Sequence, residues 1–212
     1  MYQVATVDAS GNPRVRSQIH RGFLEVPEYP AVPLLLTTTD IRTPKATQIS
    51  HHSAVEVSWW IPGSSDQFRI SGHARIVPAN SYGLPTGAVG KDAAQCIALS
   101  ALDAAGFDWE MKRRELFDNV SEHMRASWCR PTPGSALKGG YKEESNWVNT
   151  VKKPADVQTE EEEKFTQEAL SNFCLMVIEP FAVDWVQMGI VPNRRTRFCR
   201  QGNHWSEQPI VP

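Results

Sequence analysis

Two alternating runs joined by a short turn constrain this chain more than any other feature. In the stretch 54–61, Val55, Val57, Trp59 and Ile61 alternate with Glu56, Ser58 and Trp60. In the next run, Phe68, Ile70, Ala74 and Ile76 alternate with Gln67, Arg69, Ser71, His73 and Arg75. Side chains two residues apart share a strand face, so each run builds a strand with one apolar and one polar side. Pro62-Gly63-Ser64-Ser65-Asp66 between them is rich in turn formers. A slip of one residue would turn an apolar set out to water, so burial sets the register. Trp59 is expected opposite Phe68, Val57 opposite Ile70, Ser58 opposite Arg69 and Glu56 opposite Ser71. Glu56 then lies diagonal to Arg69, and a cross-strand ion pair is expected there. The polar side of the second strand is either solvated surface or one wall of a site for a polar, anionic ligand.

The remaining pattern extends this β character. Tyr2 to Val7 reads as a strand, Ala9-Ser10-Gly11-Asn12-Pro13 as a turn, and Arg14 to His20 as a second strand. Val32 to Thr38 makes a third, and Thr43 with Pro44 starts a helix as N-cap and first helical residue. Residues 79–106 carry little pattern, with a short helix over Ala93 to Ala101. Asp108 to Trp128 has helical spacing and a capping aspartate, and 131–157 reads as a long surface excursion. Thr159 heads a further helix in a capping-box arrangement, where the acidic run 160–163 suits a helix N-terminus. Phe173 to Met188 is apolar and interrupted at Glu179-Pro180, which predicts two strands. Arg194 to Arg200 and His204 to Ile210 predict a closing hairpin. Short antiparallel-looking strands with inserted helices predict a mainly β or α+β chain, a β-barrel with peripheral helices.

The chain has 212 residues, enough for one domain with a full core. Its formal net charge of -2 argues against bulk attraction to nucleic acid or an anionic membrane. No apolar run approaches the ~20 residues that span a bilayer. The N-terminus has neither the basic head nor the apolar stretch of a signal peptide, so a cytoplasmic location is expected. Cys96, Cys129, Cys174 and Cys199 are far apart and form no CxxC pair, and His51-His52 point apart on a helix or strand, so no metal site is expected.

Any anion site must therefore be built from local cations, and three clusters offer them. Arg14, Arg16 and His20 share one face of the second strand, with Arg21 after them. Thr37, Thr38, Arg42, Thr43 and Lys45 run from a strand end into a helix N-terminus, where free N–H groups favour phosphate. The third is the segment 193–200, with four arginines in eight residues. Each has a plainer reading as solvent-facing charge.

The ordered set Asn12-Pro13-x-x-Arg16-x4-Arg21, Leu36-Thr37-Thr38, Arg42-Thr43-x-Lys45-Ala46-x-Gln48, His52-Ser53-Ala54-x4-Trp59-Trp60 and Gln67-Phe68-Arg69-Ile70-Ser71-Gly72 resembles the pyridoxamine-5'-phosphate oxidase-like FMN-binding split-barrel family. Trp185 to Gly189, Arg197-Phe198, Trp205 and Pro212 extend the likeness. It is nearest to a divergent branch with the pattern RxPxPG after the second helix, represented here by residues 125–134. The resemblance implies that residues 1–212 form a single FMN-binding split-barrel domain, homodimeric, with an insertion at 79–106. It implies FMN as cofactor, a small-molecule substrate and oxidoreductase chemistry, the flavin supplying the redox step. By match, Arg16, Ser17, Gln18 and Arg21 line the flavin, Thr37 and Thr38 border its ribityl-phosphate, and Arg42, Thr43 and Lys45 hold the phosphate. Gln67 reaches the ring, and Trp185 and Arg197 complete the pocket from the partner subunit, with Arg69 and Arg195 as further contacts. The oxidase proper clamps its substrate phosphate with a Tyr, an Arg and a Ser on one helix, and here those positions are Leu116, Val120 and Met124. That departure points away from pyridoxamine phosphate as substrate. Two alternatives stand beside the flavin enzyme: a haem- or flavin-binding split barrel without oxidase activity, and a nucleic-acid-binding β-barrel using the C-terminal arginines.

Overall fold

The computed structural model describes residues 1–82 and 95–212. Nine antiparallel strands form one open, barrel-like sheet. They are β1 (Tyr2–Val7), β2 (Pro13–Gln18), β3 (Gly22–Leu24), β4 (Leu34–Asp40), β5 (Ala54–Ile61), β6 (Asp66–Val77), β7 (Phe173–Gln187), β8 (Arg194–Gln201) and β9 (His204–Ile210). The path is β2-β1-β5-β6-β7-β4-β3, with β8 and then β9 added beside the second half of β7. The sheet is split between β2 and β4. Residues 19–21 cross the split, where Arg21 N–H donates to the Leu36 carbonyl at 2.8 Å and Thr37 Oγ1 donates to the Ile19 carbonyl at 2.8 Å.

The β5–β6 hairpin has the register that alternation demands: Trp59 faces Phe68, Val57 faces Ile70, Ser58 faces Arg69 and Glu56 faces Ser71. Val57 and Ile70 point into the barrel with Tyr2, Val4, Leu35, Met176 and Ile178. The β4–β7 half of the sheet is buried on both faces. Its far side, Leu36, Leu175 and Val177, packs under Leu99, Phe117 and Leu170 of the peripheral helices. Those helices are α2 (Ile97–Ala104), α3 (Trp109–Asp118), α4 (Glu122–Ala126) and α5 (Glu160–Asn172), while α1 (Pro44–His51) closes one end of the barrel. Double burial explains the near-continuous apolar runs of β4 and β7.

Several expectations are corrected. The stretch expected as two strands over Phe173 to Met188 is a single strand of 15 residues, Phe173–Gln187. On the side of β7 away from β6, pairing with β4 ends at Ile178 and pairing with β8 begins at Ala182. Pro180 sits in that gap, where its missing N–H costs no ladder bond. The β6–β7 register shifts there, between Ser71 and Gly72. The strand expected at Arg14 to His20 ends at Gln18, because the chain then crosses the split, and the third strand begins at Leu34 rather than Val32. The helix expected over Asp108 to Trp128 breaks into α3, α4 and a 3₁₀ turn. Ser121 caps α4, accepting from Met124 N–H at 3.2 Å, and the buried Arg125 guanidinium takes the carbonyls of Phe117, Asp118 and Val120 at the end of α3. Asp108 caps α3 as expected. The short helix is Ile97–Ala104, while residues 83–94 of the expected insertion lie outside the described residues.

The polar side of β6 is not uniform. His73 and Arg75 are buried, His73 against Ser53 Oγ at 2.9 Å and Arg75 against Asp103 at 2.6 Å and the Trp109 ring. The diagonal ion pair does not form. Glu56 accepts from Ser71 Oγ at 2.7 Å, and Arg69 faces Asp184, directly opposite on β7, at 3.7 Å. A partner in the same cross-strand row outcompetes a diagonal one.

Candidate functional site

The sequence-derived site residues fall in three places. The first is the N-terminus of α1. Pro44 and Lys45 open the helix, and Thr43 takes the N-cap position with extended backbone. Thr43 Oγ1 donates back to the Asp40 carbonyl at 2.8 Å, so its hydroxyl does not occupy the N-terminal N–H groups. Arg16 and Lys45 converge there, and Thr43, Gln48, Arg14 and Asp8 help line a cavity of ≈ 500 Å³. The Arg16 guanidinium is held in place by Thr6 Oγ1 at 2.6 Å and Gln48 Oε1 at 3.0 Å. Lys45 is 7 % exposed, and no hydrogen bond or ion pair to its ammonium is found among the described residues. Burial pushes its pKa down to about 8, and the Arg16 charge pushes the same way. Two cations, one of them buried, thus face a cavity at a helix N-terminus, which is an anion-binding arrangement.

The second place is the split. Gln18 donates to the Thr38 carbonyl at 3.4 Å, Arg21 Nε reaches Thr38 Oγ1 at 3.4 Å, and Thr37 is fully buried. Gln18 and Thr38 open onto a cavity of ≈ 490 Å³ roofed by the segment from Trp128 to Leu137. Arg42 does not join the α1 cavity. Its guanidinium grips Asp40 at 2.6 to 3.2 Å and donates to the carbonyls of Trp128 and Arg130 at 3.2 and 2.9 Å. It fastens the 128–130 turn to the barrel.

The third place is the outer face of the sheet. Cross-strand pairing aligns Ser17, Gln3, Ser58, Arg69, Asp184 and Arg197 in one row over β2, β1, β5, β6, β7 and β8. Gln67 and Arg195 stand in the neighbouring row of the same face. Asp184 sits among three guanidiniums: Arg197 Nε at 2.9 Å, Arg195 in hydrogen-bond contact, and Arg69. The Arg197 and Arg195 bonds hold its carboxyl down at about 2. The Nε atoms of Arg69 and Arg195 are buried without a hydrogen-bond partner among the described residues. Gln67 donates to Ser58 Oγ at 3.3 Å. Trp185 stands on the opposite face, stacked on Phe68 at 6.0 Å with its indole N–H on Asp66 at 2.9 Å.

One chain therefore does not gather these residues into one pocket. Arg16 pairs with Val4, whose side chain points into the barrel, whereas Gln67, Arg69, Arg195 and Arg197 line the outside. Sequence reasoning overlooked Asp184 and Asp40, and it quoted Gln48 in the motif without giving it a role. Asp184 was hidden because reading β7 as two strands conceals that it lies opposite Arg69. The C-terminal arginines are also largely committed, since Arg195 and Arg197 hold Asp184 and Arg200 holds the buried Glu179 at 2.9 Å.

Residues 1–78 match the family model described as pyridoxamine 5'-phosphate oxidase, FMN-binding domain. The chain is 22% identical over 215 residues to pyridoxine/pyridoxamine 5'-phosphate oxidase 2 of Arabidopsis thaliana, covering 99% of this chain and 86% of the relative. A crystal structure of a pyridoxamine 5'-phosphate oxidase-related, FMN-binding protein from Nostoc punctiforme matches with a TM-score of 0.64 at 23% identity, covering 100% of this chain and 87% of that one. PhzG from Burkholderia lata, crystallised with tetrahydrophenazine-1-carboxylic acid, matches with a TM-score of 0.55 at 15% identity, covering 100% of this chain and 81% of that one. The fold is thus the split barrel of these structures, with peripheral helices.

Proposed function

From the premise that residues 1–78 carry the FMN-binding-domain pattern of the pyridoxamine 5'-phosphate oxidase family, we propose that this chain is an FMN-binding flavoprotein, a homodimeric oxidoreductase acting on a small molecule. The observation that carries the reading is Lys45. It is a buried ammonium without a protein partner among the described residues, set beside Arg16 at the start of α1. Phosphate, with about -1.5 to -2 charges and strong acceptor oxygens, is the group such an arrangement recognises. Lys45, Arg16 and the N–H groups at Thr43 to Lys45 would hold the FMN phosphate. Gln18, Arg21, Thr37 and Thr38 would border the chain from phosphate to ring along the split. Gln67, Arg197 and, behind them, Arg69 and Arg195 would meet the polar edge of the ring. These last groups face outward, so in this reading the second copy supplies the outer-face residues that complete each site. That is the reason for assigning a dimer. Ser17 belongs to the same outer row, while Trp185 would act from the other face by fixing the β5–β6 turn through Asp66. When bound, the flavin supplies the electron transfer. The protein's part is to hold the phosphate, fix the ring edge and shield the site from water. Arg42 is given a positioning role through Asp40 and the 128–130 turn.

FMN titration of the purified protein, followed by absorbance, tests the assignment. Saturable uptake is expected, and Lys45→Ala should weaken it by ~1.5–3 kcal/mol, the range for a charged hydrogen bond. Absence of flavin uptake by folded protein overturns the cofactor assignment. Unchanged affinity in Lys45→Ala moves the phosphate elsewhere.

A further inference from the structure

The charged side chains around the cavity at the N-terminus of α1 are not equivalent. Lys45 is buried, and Arg16 spends its terminal nitrogens on neutral oxygens: Thr6 Oγ1, Gln48 Oε1 and the carbonyls of Val4 and Arg14. Neither has a carboxylate partner among the described residues, so each brings an uncompensated positive charge to the cavity. Arg14 and Asp8, on the same wall, compensate one another. Arg14 donates from Nε and Nη2 to one Asp8 oxygen, both at 2.9 Å. The other oxygen accepts from Ser10 and Asn12 N–H at 3.0 and 2.9 Å and from the Asn12 side-chain amide at 3.2 Å. These bonds, with the Asn12 N–H foremost, hold the carboxyl down at about 2. Asp8 is the less exposed partner, 18 % against 57 % for Arg14, so its charge is the less screened of the two. The turn between β1 and β2 thus fixes a negative charge on the wall of a cavity built for anions.

That charge decides which phosphates fit. A phosphomonoester near neutral pH carries about -1.5 to -2 charges on one phosphorus. Lys45, Arg16 and the helix N–H groups match it in charge and in donors. A diphosphate diester carries a single charge on each phosphorus. With its first phosphate at Lys45 and Arg16, it brings half of its charge to them, and the second phosphate comes against the Asp8 side of the wall. It uses the cations less well and meets a fixed carboxylate.

We propose that the Asp8–Arg14 pair is a selectivity element, restricting this cavity to terminal phosphomonoesters and disfavouring diphosphates. That the chain therefore takes FMN and not FAD rests on the flavin reading above; the choice of monoester over diphosphate does not.

The test pairs calorimetric titration with ribose 5-phosphate and ADP-ribose, which hold no flavin, with absorbance titration by FMN and FAD, all near neutral pH. The monoester of each pair should bind at least about tenfold more tightly. Asp8→Asn keeps an oxygen for the Ser10 and Asn12 N–H groups and should narrow the preference by about tenfold. Arg14→Gln breaks the same ion pair but leaves the carboxylate uncompensated, so it should widen the preference. A merely structural pair would move both variants in the same direction. Equal or tighter binding of the diphosphates by the unaltered protein overturns the proposal, whether or not the variants fold. So does absence of ribose 5-phosphate binding, or variants with unchanged circular dichroism spectra whose preference stays put or shifts the same way. Selective binding of ribose 5-phosphate without flavin uptake sinks the cofactor reading alone, and equal uptake of FMN and FAD sinks this one alone.

Discussion

Lys45 places a functional requirement in conflict with stability, and its replacement by methionine separates the two. In the unfolded chain a lysine binds its proton with a pKa near 10.5, whereas burial lowers the value in the folded protein to about 8. Each tenfold change in proton affinity is ~1.4 kcal/mol, so keeping this ammonium charged at neutral pH costs the fold about 3 kcal/mol. The sign follows from the depressed folded value. The penalty is fully present below pH 8, shrinks as pH rises from about 8 to 10.5, and vanishes above that. Methionine keeps much of the buried stem and removes the charge. Flavin-free Lys45→Met should therefore be more stable than the parent by about 3 kcal/mol at pH 7 in urea unfolding, with the gap closing toward pH 10.5. Binding of a phosphate at Lys45 should restore its proton affinity, so binding between pH 8 and 10 should take up protons. Lower stability of Lys45→Met at pH 7, or a gap that does not change with pH, would refute the reasoning.

Three further outcomes are expected. Glu179→Ala leaves Arg200 buried without its partner and removes the carboxylate that accepts Ala98 and Leu99 N–H at the start of α2; a loss of ~3–5 kcal/mol in urea unfolding is expected, and a loss under ~1 kcal/mol would show that α2 is not fastened there. In Gly72→Ala the added methyl would meet Ile178 Cγ2 and the Glu179 carbonyl oxygen, both at 2.8 Å; overpacking should cost ~1–3 kcal/mol, and a neutral substitution would show that the bulge relaxes freely. Asp184 stays ionised in the folded protein down to about pH 2 against 3.8 when unfolded, so its stabilising contribution is present above 3.8 and fades as pH falls toward 2; Asp184→Asn should flatten the fall of stability over that interval, and a parallel acid titration of both proteins checks it.

The fold was most legible where one local rule acted alone. Alternation with burial was enough for the β5–β6 register, down to Trp59 against Phe68. It failed where a residue's neighbours on one side were missing. Pro180 reads as a break, yet it lies where β7 has passed β4 and not yet met β8. The α3–α4 break was written in Ser121 as a cap, but the reason it is tolerated is Arg125, whose donors reach back to carbonyls five to eight residues earlier. At the site, Arg16, Thr43 and Lys45 come together because a strand face and a helix N-terminus are both local features. Arg42, only three residues from Lys45, turns away because Asp40 and the 128–130 turn claim it. Composition and spacing carry no trace of such competition among partners distant in sequence.

The long strand β7 also governs how the chain must assemble. It is the second neighbour of both β6 and β4, so the stretch 1–78, which matches the family model, holds two strand edges that residues 173–187 cover. On the ribosome, those edges wait until residues 173–187 have emerged, and closing loops of about a hundred residues is slow. The recognisable first third is thus not a folding unit by itself. Expressed alone it should aggregate through its open strands, and supplying the C-terminal segment as a separate chain should rescue it.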